Sequence, residues 1–341
     1  MSAKQSVWGT WAPSRLVGGQ RACHPSAAVT PILSIWVLGD GKPGHENQAL
    51  GLAEALQRLR PCSIERISLA GSRGLFGLFG RFRGALRATA ALPKPDLLMA
   101  AGHATHPALL WLAKRHSVPG IVLMRPSLPL RWFDLCIAPA HDFRQTSAPD
   151  NVLTTSGALN RVLADSAAER SGGLILVGGP SAIHRWDADG LLDSLARICG
   201  DGSGGPWLLT DSRRTPSGFL ERLRQRLPGL RVFPHGETPA DWLPARLAAA
   251  ADVWVTEDSV SMVYEALSSG ARVGLLPLPR SKPQSRVLRG LAQLVDAGSL
   301  TPYERWCQTG KLTAPPAPLQ EASRCAALVL AKFFASPPPS E

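Results

Sequence analysis

The chain has 341 residues, 45% of them hydrophobic, and a mean hydropathy near zero. That length suits two domains with substantial cores, and no apolar run is long enough to span a bilayer, which excludes a helical membrane protein. The net charge of +11 and a pI of about 10 point to anionic lipid surfaces or polyanionic ligands, or to a solvated arginine-rich face. Nucleic-acid binding is disfavoured, because aromatic residues are only 6% and no helix-turn-helix or zinc-finger pattern occurs.

Residues 1–30 contain Trp8, Trp11, Pro13 and Pro25 but no central apolar block. They read as a disordered tail rather than a secretory signal. From Ile32 on, short apolar runs alternate with amphipathic stretches. Strands are expected at Ile32–Leu38, Ser63–Leu69, Leu97–Ala101, Gly120–Met124 and Leu135–Ala138, with helices at about Glu46–Leu59 and Pro107–Arg115. Between them, Leu75 to Arg87 interleaves Phe76, Phe79 and Phe82 with Arg81, Arg83 and Arg87, a pattern for a membrane-surface segment or an internal helix. The pattern weakens over about 150–172, the expected link between domains.

The second half repeats the scheme. Strands are expected at Leu174–Val177, Trp207–Thr210, Arg231–Phe233, Asp252–Thr256 and Val273–Leu276. Helices are expected at Ala188–Ile198, about Ser217–Leu227, Asp241–Ala250 and Ser259–Ser268, and a last one at about Leu319–Phe334 crosses back onto the first domain. Such alternation builds parallel sheets covered on both faces. The expected organisation is a tail (1–30), an N-terminal α/β domain (31–155), a linker (156–172), a C-terminal α/β domain (173–315) and a crossover helix (316–336). Two doubly wound Rossmann-like domains bind ligand in the cleft between them, at the carboxyl ends of their strands.

Four polar motifs fall at such ends. Gly39-Asp40-Gly41-Lys42-Pro43-Gly44-His45 is glycine-rich but lacks both the Walker A ending and the GxGxxG spacing. His45 at its helix start can serve as a general base, or it and Asp40 can simply cap the turn. Gly178-Gly179-Pro180-Ser181 with His184 suits close approach by a phosphate or sugar, with Ser181 and His184 as donors. Thr210-Asp211-Ser212-Arg213-Arg214 brings paired arginines to a strand end, where they suit a diphosphate. Val255-Thr256-Glu257-Asp258-Ser259 leads into a helix, with Asp258 or Ser259 as its cap and free amides for an anion. Glu265 lies about two turns further on.

His103 and His106 lack an acidic or cysteine partner nearby, so they read as a polar cleft wall rather than a metal site. His141 or Asp142, past another strand, can orient His45. The six cysteines are scattered without a CxxC, which favours reduced thiols.

These strings resemble a known family. Asp40-Gly41 with Gly44-His45, Phe133-Asp134-Leu135 with His141-Asp142, and Asn151-Val152-Leu153 with Gly157-Ala158-Leu159 match it in order. So do Gly178-Gly179-Pro180-Ser181, Ser212-Arg213-Arg214-Thr215-Pro216 and Val255 through Ala266. The family is named after a plant mitochondrial-fission factor (elongated mitochondria), and its bacterial members are described as glycosyltransferases. The resemblance implies a GT-B-like architecture with a nucleotide-sugar in the second domain. Carried over by motif, Glu265 meets the ribose, and Ser259 and Ser261, with Met262 beside them, meet the diphosphate. Arg213 or Arg214 assists, Gly178 to Ser181 line the donor pocket, and His45 is the acceptor-side base. No cofactor or bound metal is expected, the nucleoside-diphosphate sugar being substrate. The chain departs from the family at Thr238-Pro239-Ala240 and at Tyr264.

The leading expectation is a cytoplasmic glycosyltransferase, peripheral on the inner face of a membrane, with a lipid-linked or cell-envelope glycan as acceptor. A non-catalytic membrane adaptor and a nucleotide-sugar epimerase are the alternatives.

Overall fold

The computed structural model describes residues 31–69, 84, 87–143, 149–164, 169–200, 206–239, 241–282 and 285–335. The tail at 1–30 and all of the Phe/Arg segment except Gly84 and Arg87 lie outside them. The first half comprises β1 (Leu33–Gly39), α1 (Pro43–Leu59), β2 (Cys62–Ser68), β3 (Leu97–Ala101), α2 (His106–His116), β4 (Gly120–Leu123), β5 (Leu135–Pro139) and β6 (Val152–Thr155). The second comprises β7 (Gly173–Leu176), α3 (Ala188–Gly200), β8 (Trp207–Thr210), α4 (Phe219–Arg226), β9 (Arg231–Phe233), α5 (Trp242–Ala249) and β10 (Asp252–Thr256). It continues through α6 (Val260–Ser269), β11 (Arg272–Leu276), α7 (Arg286–Asp296), β12 (Leu300–Pro302) and α8 (Tyr303–Thr309), and α9 (Glu321–Phe334) ends the described chain.

Each half carries a six-stranded sheet, ordered β2-β1-β3-β4-β5-β6 and β12-β11-β10-β7-β8-β9. Every pairing is parallel. Strands β1, β3 and β4 are buried along their whole length, as continuous apolar runs must be when helices cover both faces. Strand order reverses between β1 and β3 in the first sheet, and between β7 and β10 in the second. The carboxyl ends at those reversals are where an open α/β sheet leaves a crevice.

Helix α9 belongs to the first half's core. Ala322, Cys325, Ala326 and Val329 recur at helical spacing on one face and pack with Leu52, Ala53 and Leu56 of α1. Strand β6 sits where the sequence pattern weakened. As an edge strand, three of its four residues are only half-buried, so it has no strong apolar signature. Helix α7 buries Leu288, Gly290, Leu291 and Leu294 and turns its arginines outward.

Residues 157–162 run between the halves. Leu159 enters the first core and Val162 the second. Asn160 donates to Tyr264 O (3.3 Å) and to Ser268 Oγ (2.9 Å), and Arg161 forms a two-pronged ion pair with Glu54. Gly51 of α1 lies directly against this segment: an added Cβ would sit 2.4 Å from Asn160 O. A backbone carbonyl cannot swing aside, so Gly51→Ala is expected to cost about 1–3 kcal/mol as overpacking. The check is a melting temperature lower than wild type by several degrees.

Candidate functional site

The site is built on the two strand-order reversals, and the same device operates at both. In the first sheet, Asp40 follows β1 and Gly102 follows β3. Asp40 Oδ2 lies 2.9 Å from His45 Nδ1, and its other oxygen accepts from Lys42 N at 3.1 Å. A Cβ at Gly102, which has φ +93°, would lie 2.3 Å from His45 Nδ1 and 2.7 Å from Asp40 Oδ2. The pair therefore fits only because Gly102 has no side chain. With Nδ1–H donated to the buried Asp40 carboxylate, His45 Nε2 is left as a proton acceptor.

His45 is thus oriented by Asp40 and not by Asp142. Asp142 is engaged elsewhere: its carboxylate faces Arg286 at 3.7 Å and its carbonyl accepts from Arg125. His103 bonds Ser127 Oγ through Nδ1 at 3.1 Å and stacks edge-on with His106. Burial, aided by His103 and His45, pushes His106 down to about 4, so it is a neutral wall behind the dyad. No group of three or more His, Cys, Asp or Glu suited to a metal ion occurs among the described residues.

In the second sheet, Gly178 and Gly179 follow β7, and Asp258 follows β10. Gly179 N donates to Asp258 Oδ2 at 3.0 Å. A Cβ on Gly178 would fall 2.3 Å from that carboxylate, and one on Gly179 would fall 2.0 Å from Arg214 O. The glycines make room for protein groups here. Arg214 is likewise an internal brace. It pairs with the buried Asp258 at 2.6 Å and donates to the carbonyls of Gly179 and Pro180 at 3.1 Å, so it is not held free for a diphosphate.

Ser181 and His184 are also turned inward. Ser181 Oγ lies 3.1 Å from His184 Nδ1 and accepts from His184 N, while His184 Nε2 lies 3.3 Å from Glu257. Burial lowers the His184 pKa despite Glu257 and Asp258. Glu257 in turn holds Arg280 at 2.6 Å. These residues fix the loops around β7 and β10; the expectation that they donate to ligand is not met.

The expected cap on α6 is absent too. Ser259 occupies the cap position, but its side chain makes no cap hydrogen bond, and Asp258 faces Gly179 and Arg214 instead. The first-turn amides of α6 have no side-chain acceptor, which leaves the positive end of the helix open.

That end opens into a cavity of about 510 Å³ between the halves. Pro43, Gly44 and Asn47 line it from the first half; Ser212, Arg213, Arg214, Ser259, Ser261, Met262 and Glu265 line it from the second. Most of the residues expected to bind ligand are therefore brought together, and His45, Asp142, Gly178, Gly179, Ser181, His184 and Asp258 are not among its lining. Sequence reasoning missed His235, Trp242 and Leu243, which line the wall together with Asn47 and Thr238. Asp211 accepts from His235 N at 2.7 Å and lies 3.0 Å from its Nδ1. Trp242 stacks with Phe233, ring centroids 5.1 Å apart. Lone residues in a turn and a short helix carry no spacing signal.

Arg213 is exposed and makes no ion pair among the described residues, and Glu265 has no hydrogen-bond partner among them. Burial pushes the Glu265 carboxyl from 4.5 up to about 7.

The family and its structural relatives agree with this geometry. The model for the family Mitochondrial fission ELM1 matches residues 43–333, and the chain belongs to that family. An uncharacterized protein of Rickettsia prowazekii, RP120, is 23% identical over 288 residues, covering 70% of this chain and 81% of that protein. Among solved structures, a Listeria monocytogenes protein described as a UDP-N-acetylglucosamine 2-epimerase superposes with a TM-score of 0.60 at 13% identity, over 91% of this chain and 99% of that one. MurG of Acinetobacter baumannii superposes at 0.51 and 14% identity, over 88% and 99%. The UDP-GlcNAc 2-epimerase of Neisseria meningitidis, bound to UDP-GlcNAc, gives 0.55 at 12% identity, over 88% and 100%. At such identities the likeness is one of fold: two Rossmann-like domains in the GT-B arrangement.

The raised Glu265 pKa makes a signed prediction. The folded state holds this proton more tightly than the unfolded chain, so stability is lost as pH rises from about 4.5 through about 7. Glu265→Gln removes that loss. Its melting temperature is expected to match wild type at the acid end of this window and to exceed it above pH 7. A constant difference at all pH values would contradict the assignment.

Proposed function

We propose that this member of the Mitochondrial fission ELM1 family is a glycosyltransferase that takes a sugar from a nucleoside-diphosphate donor held in the cavity between its halves. The observation that carries the reading is the conjunction at α6 of an uncapped helix start and, two turns along, a half-buried carboxyl group with no hydrogen-bond partner among the described residues, lining the cavity opposite the first half. An uncapped helix start and a free arginine suit a diphosphate. A carboxylate without a partner suits a pair of ribose hydroxyls, whose hydrogen bonds replace the water it lost.

In this reading the α6 amides, Ser259, Ser261 and Arg213 take the charge that develops on the leaving diphosphate. That arrangement calls for no metal. Glu265 binds the ribose, and Trp242, Leu243 and Met262 offer an apolar wall to the base. His45, held in one tautomer by Asp40, removes a proton from the acceptor hydroxyl as it attacks. Pro43, Gly44 and Asn47 bring that turn of α1 to the cavity's edge. The acceptor is a lipid-linked or envelope glycan met at the inner face of a membrane, a reading supported by the net charge of +11. No helix among the described residues is long and apolar enough to cross a membrane.

The test is a thermal-shift screen with nucleoside diphosphates and their sugars. A ligand of the folded state raises the melting temperature. One nucleotide is expected to do so in the wild type and in His45→Ala, and to fail in Glu265→Ala. Once an acceptor is found, His45→Ala and Asp40→Asn are expected to lower turnover by about 10²-fold or more with nucleotide binding unchanged. Failure of every nucleotide to bind would favour the adaptor reading, and conversion of the donor sugar with no acceptor would favour an epimerase.

A further inference from the structure

A second cationic locus lies on the seam between the halves, built from residues that the donor cavity does not use. Arg125, past β4, donates from Nη1 to Asp142 O at 2.5 Å and packs over the Phe143 ring. Arg286, from the first turn of α7, places Nη1 3.7 Å from Asp142 Oδ1. Arg289, one turn further along, precedes Gly290, where an added Cβ would lie 2.8 Å from His141 Nδ1; burial lowers the His141 pKa, and Arg289 and Arg286 lower it further. All three arginines are exposed, and Arg289 makes no ion pair among the described residues. Three guanidinium groups from two halves of the chain thus gather around 141–142: Arg125 on the Asp142 carbonyl, Arg286 facing its carboxylate, and Arg289 beside His141.

This placement runs against local preference. A helix start favours acidic side chains, because its free amides carry positive potential. Helix α7 has none in its first turn and has Arg286 there instead. Its partner across the seam adds a further cation. Beneath the locus, Tyr264 is only 2% exposed and its hydroxyl has no partner, and it lies near enough to Asp142 for that carboxylate to help raise its pKa.

We propose that Arg125, Arg286 and Arg289 form a binding site for a phosphate-bearing ligand distinct from the sugar donor. If the cleft is a glycosyltransferase site, as read above, that ligand is the acceptor, held by its phosphate at the open edge of the cleft. The arginine geometry stands without that reading. Two sources share this chemistry, a soluble di- or monophosphate and a phospholipid headgroup. The Asp142 carboxylate then competes with the ligand for Arg286, and the long 3.7 Å contact is one an incoming phosphate would replace.

The competition separates this site from a mere lock between the halves. If Arg286 serves only to dock the halves through Asp142, then Asp142→Asn must mimic loss of the arginines. If the arginines bind phosphate, Asp142→Asn must leave binding intact or tighten it. The experiment uses the full chain with two probes: inorganic pyrophosphate by calorimetry, and co-sedimentation with phosphatidylglycerol vesicles against phosphatidylcholine vesicles.

Arg286→Gln with Arg289→Gln is expected to weaken the binding by about tenfold or more, the worth of one lost charge-assisted hydrogen bond. Arg224→Gln with Arg305→Gln, which removes the same charge from exposed positions elsewhere, is expected to leave it unchanged. Arg289→Gln alone serves should the double variant fold poorly. Pyrophosphate binding marks a soluble source, and binding only to phosphatidylglycerol marks a headgroup.

Four outcomes would overturn the proposal: binding of neither probe, equal weakening by the control pair, loss in Asp142→Asn, or loss of pyrophosphate in Arg213→Gln with none in the seam variants. The nucleotide screen is read separately, so either reading can fail without the other.

Discussion

The structure depends on one steric exchange made twice. At each strand-order reversal, a glycine at the end of one strand yields its side-chain volume to a carboxylate from the loop after the neighbouring strand. Gly102 makes room for Asp40 and His45; Gly178 and Gly179 make room for Asp258 and Arg214. Buried carboxylates are costly unless paired and hydrogen-bonded. Here each is held within the loops, Asp40 by the His45 ring and Lys42 N, and Asp258 through Oδ2 by Arg214 and Gly179 N, its Oδ1 having no partner among the described residues. The consequence is preorganisation. Loops that would otherwise be mobile are fixed at both ends of the cleft, so the groups they present need little further ordering when a ligand arrives.

The two exchanges do different work because their partners differ. In the first half the carboxylate holds an imidazole that keeps one nitrogen open. In the second the carboxylate is consumed by an arginine, and what remains open is the helix start next to it. Had Asp258 capped α6, the first-turn amides would have been spent internally. Its diversion to Gly179 and Arg214 leaves them exposed to the cavity, while Arg214 is spent and Arg213 remains free. An acid–base group on one wall and an anion site on the other is a division of labour that suits transfer between two substrates.

The sheets were legible in the sequence because parallel strands covered on both faces must be continuous apolar runs. Helices between them carry one apolar face, and that alternation gave the fold class. β6 escaped because an edge strand is only partly buried, and α7 because its polar face is basic where a helix start is usually acidic. The site was legible as far as its backbone positions, since strand ends with glycine, serine and arginine stand out. Which side chain faces the cavity was not. Ser181, His184 and Arg214 have the chemistry of ligand donors, but each satisfies a neighbour instead. Asp40 was seen as a turn cap and proved to be the partner of His45. Sequence spacing cannot separate these cases, since the deciding contact in the second half joins Asp258 to Arg214, groups from different loops brought together by the order of strands in the sheet.

Glu265 stands apart from all of these. The acidic side chains around the cleft have partners elsewhere: Asp40 has His45, Asp211 has His235, Glu257 has Arg280, and Asp258 has Arg214. Glu265 has none among the described residues, and burial raises its pKa to about 7. Each of those carboxyl groups has at least one donor, and Arg213 borders the same cavity as Glu265. Leaving it unmet holds the residue where hydroxyl donors from outside gain most by arriving, because the carboxylate regains hydrogen bonds that the folded protein withholds. The unsatisfied group is thus the complement of the satisfied ones. Strain is removed from the loops that shape the cleft and retained at the point where a ligand relieves it.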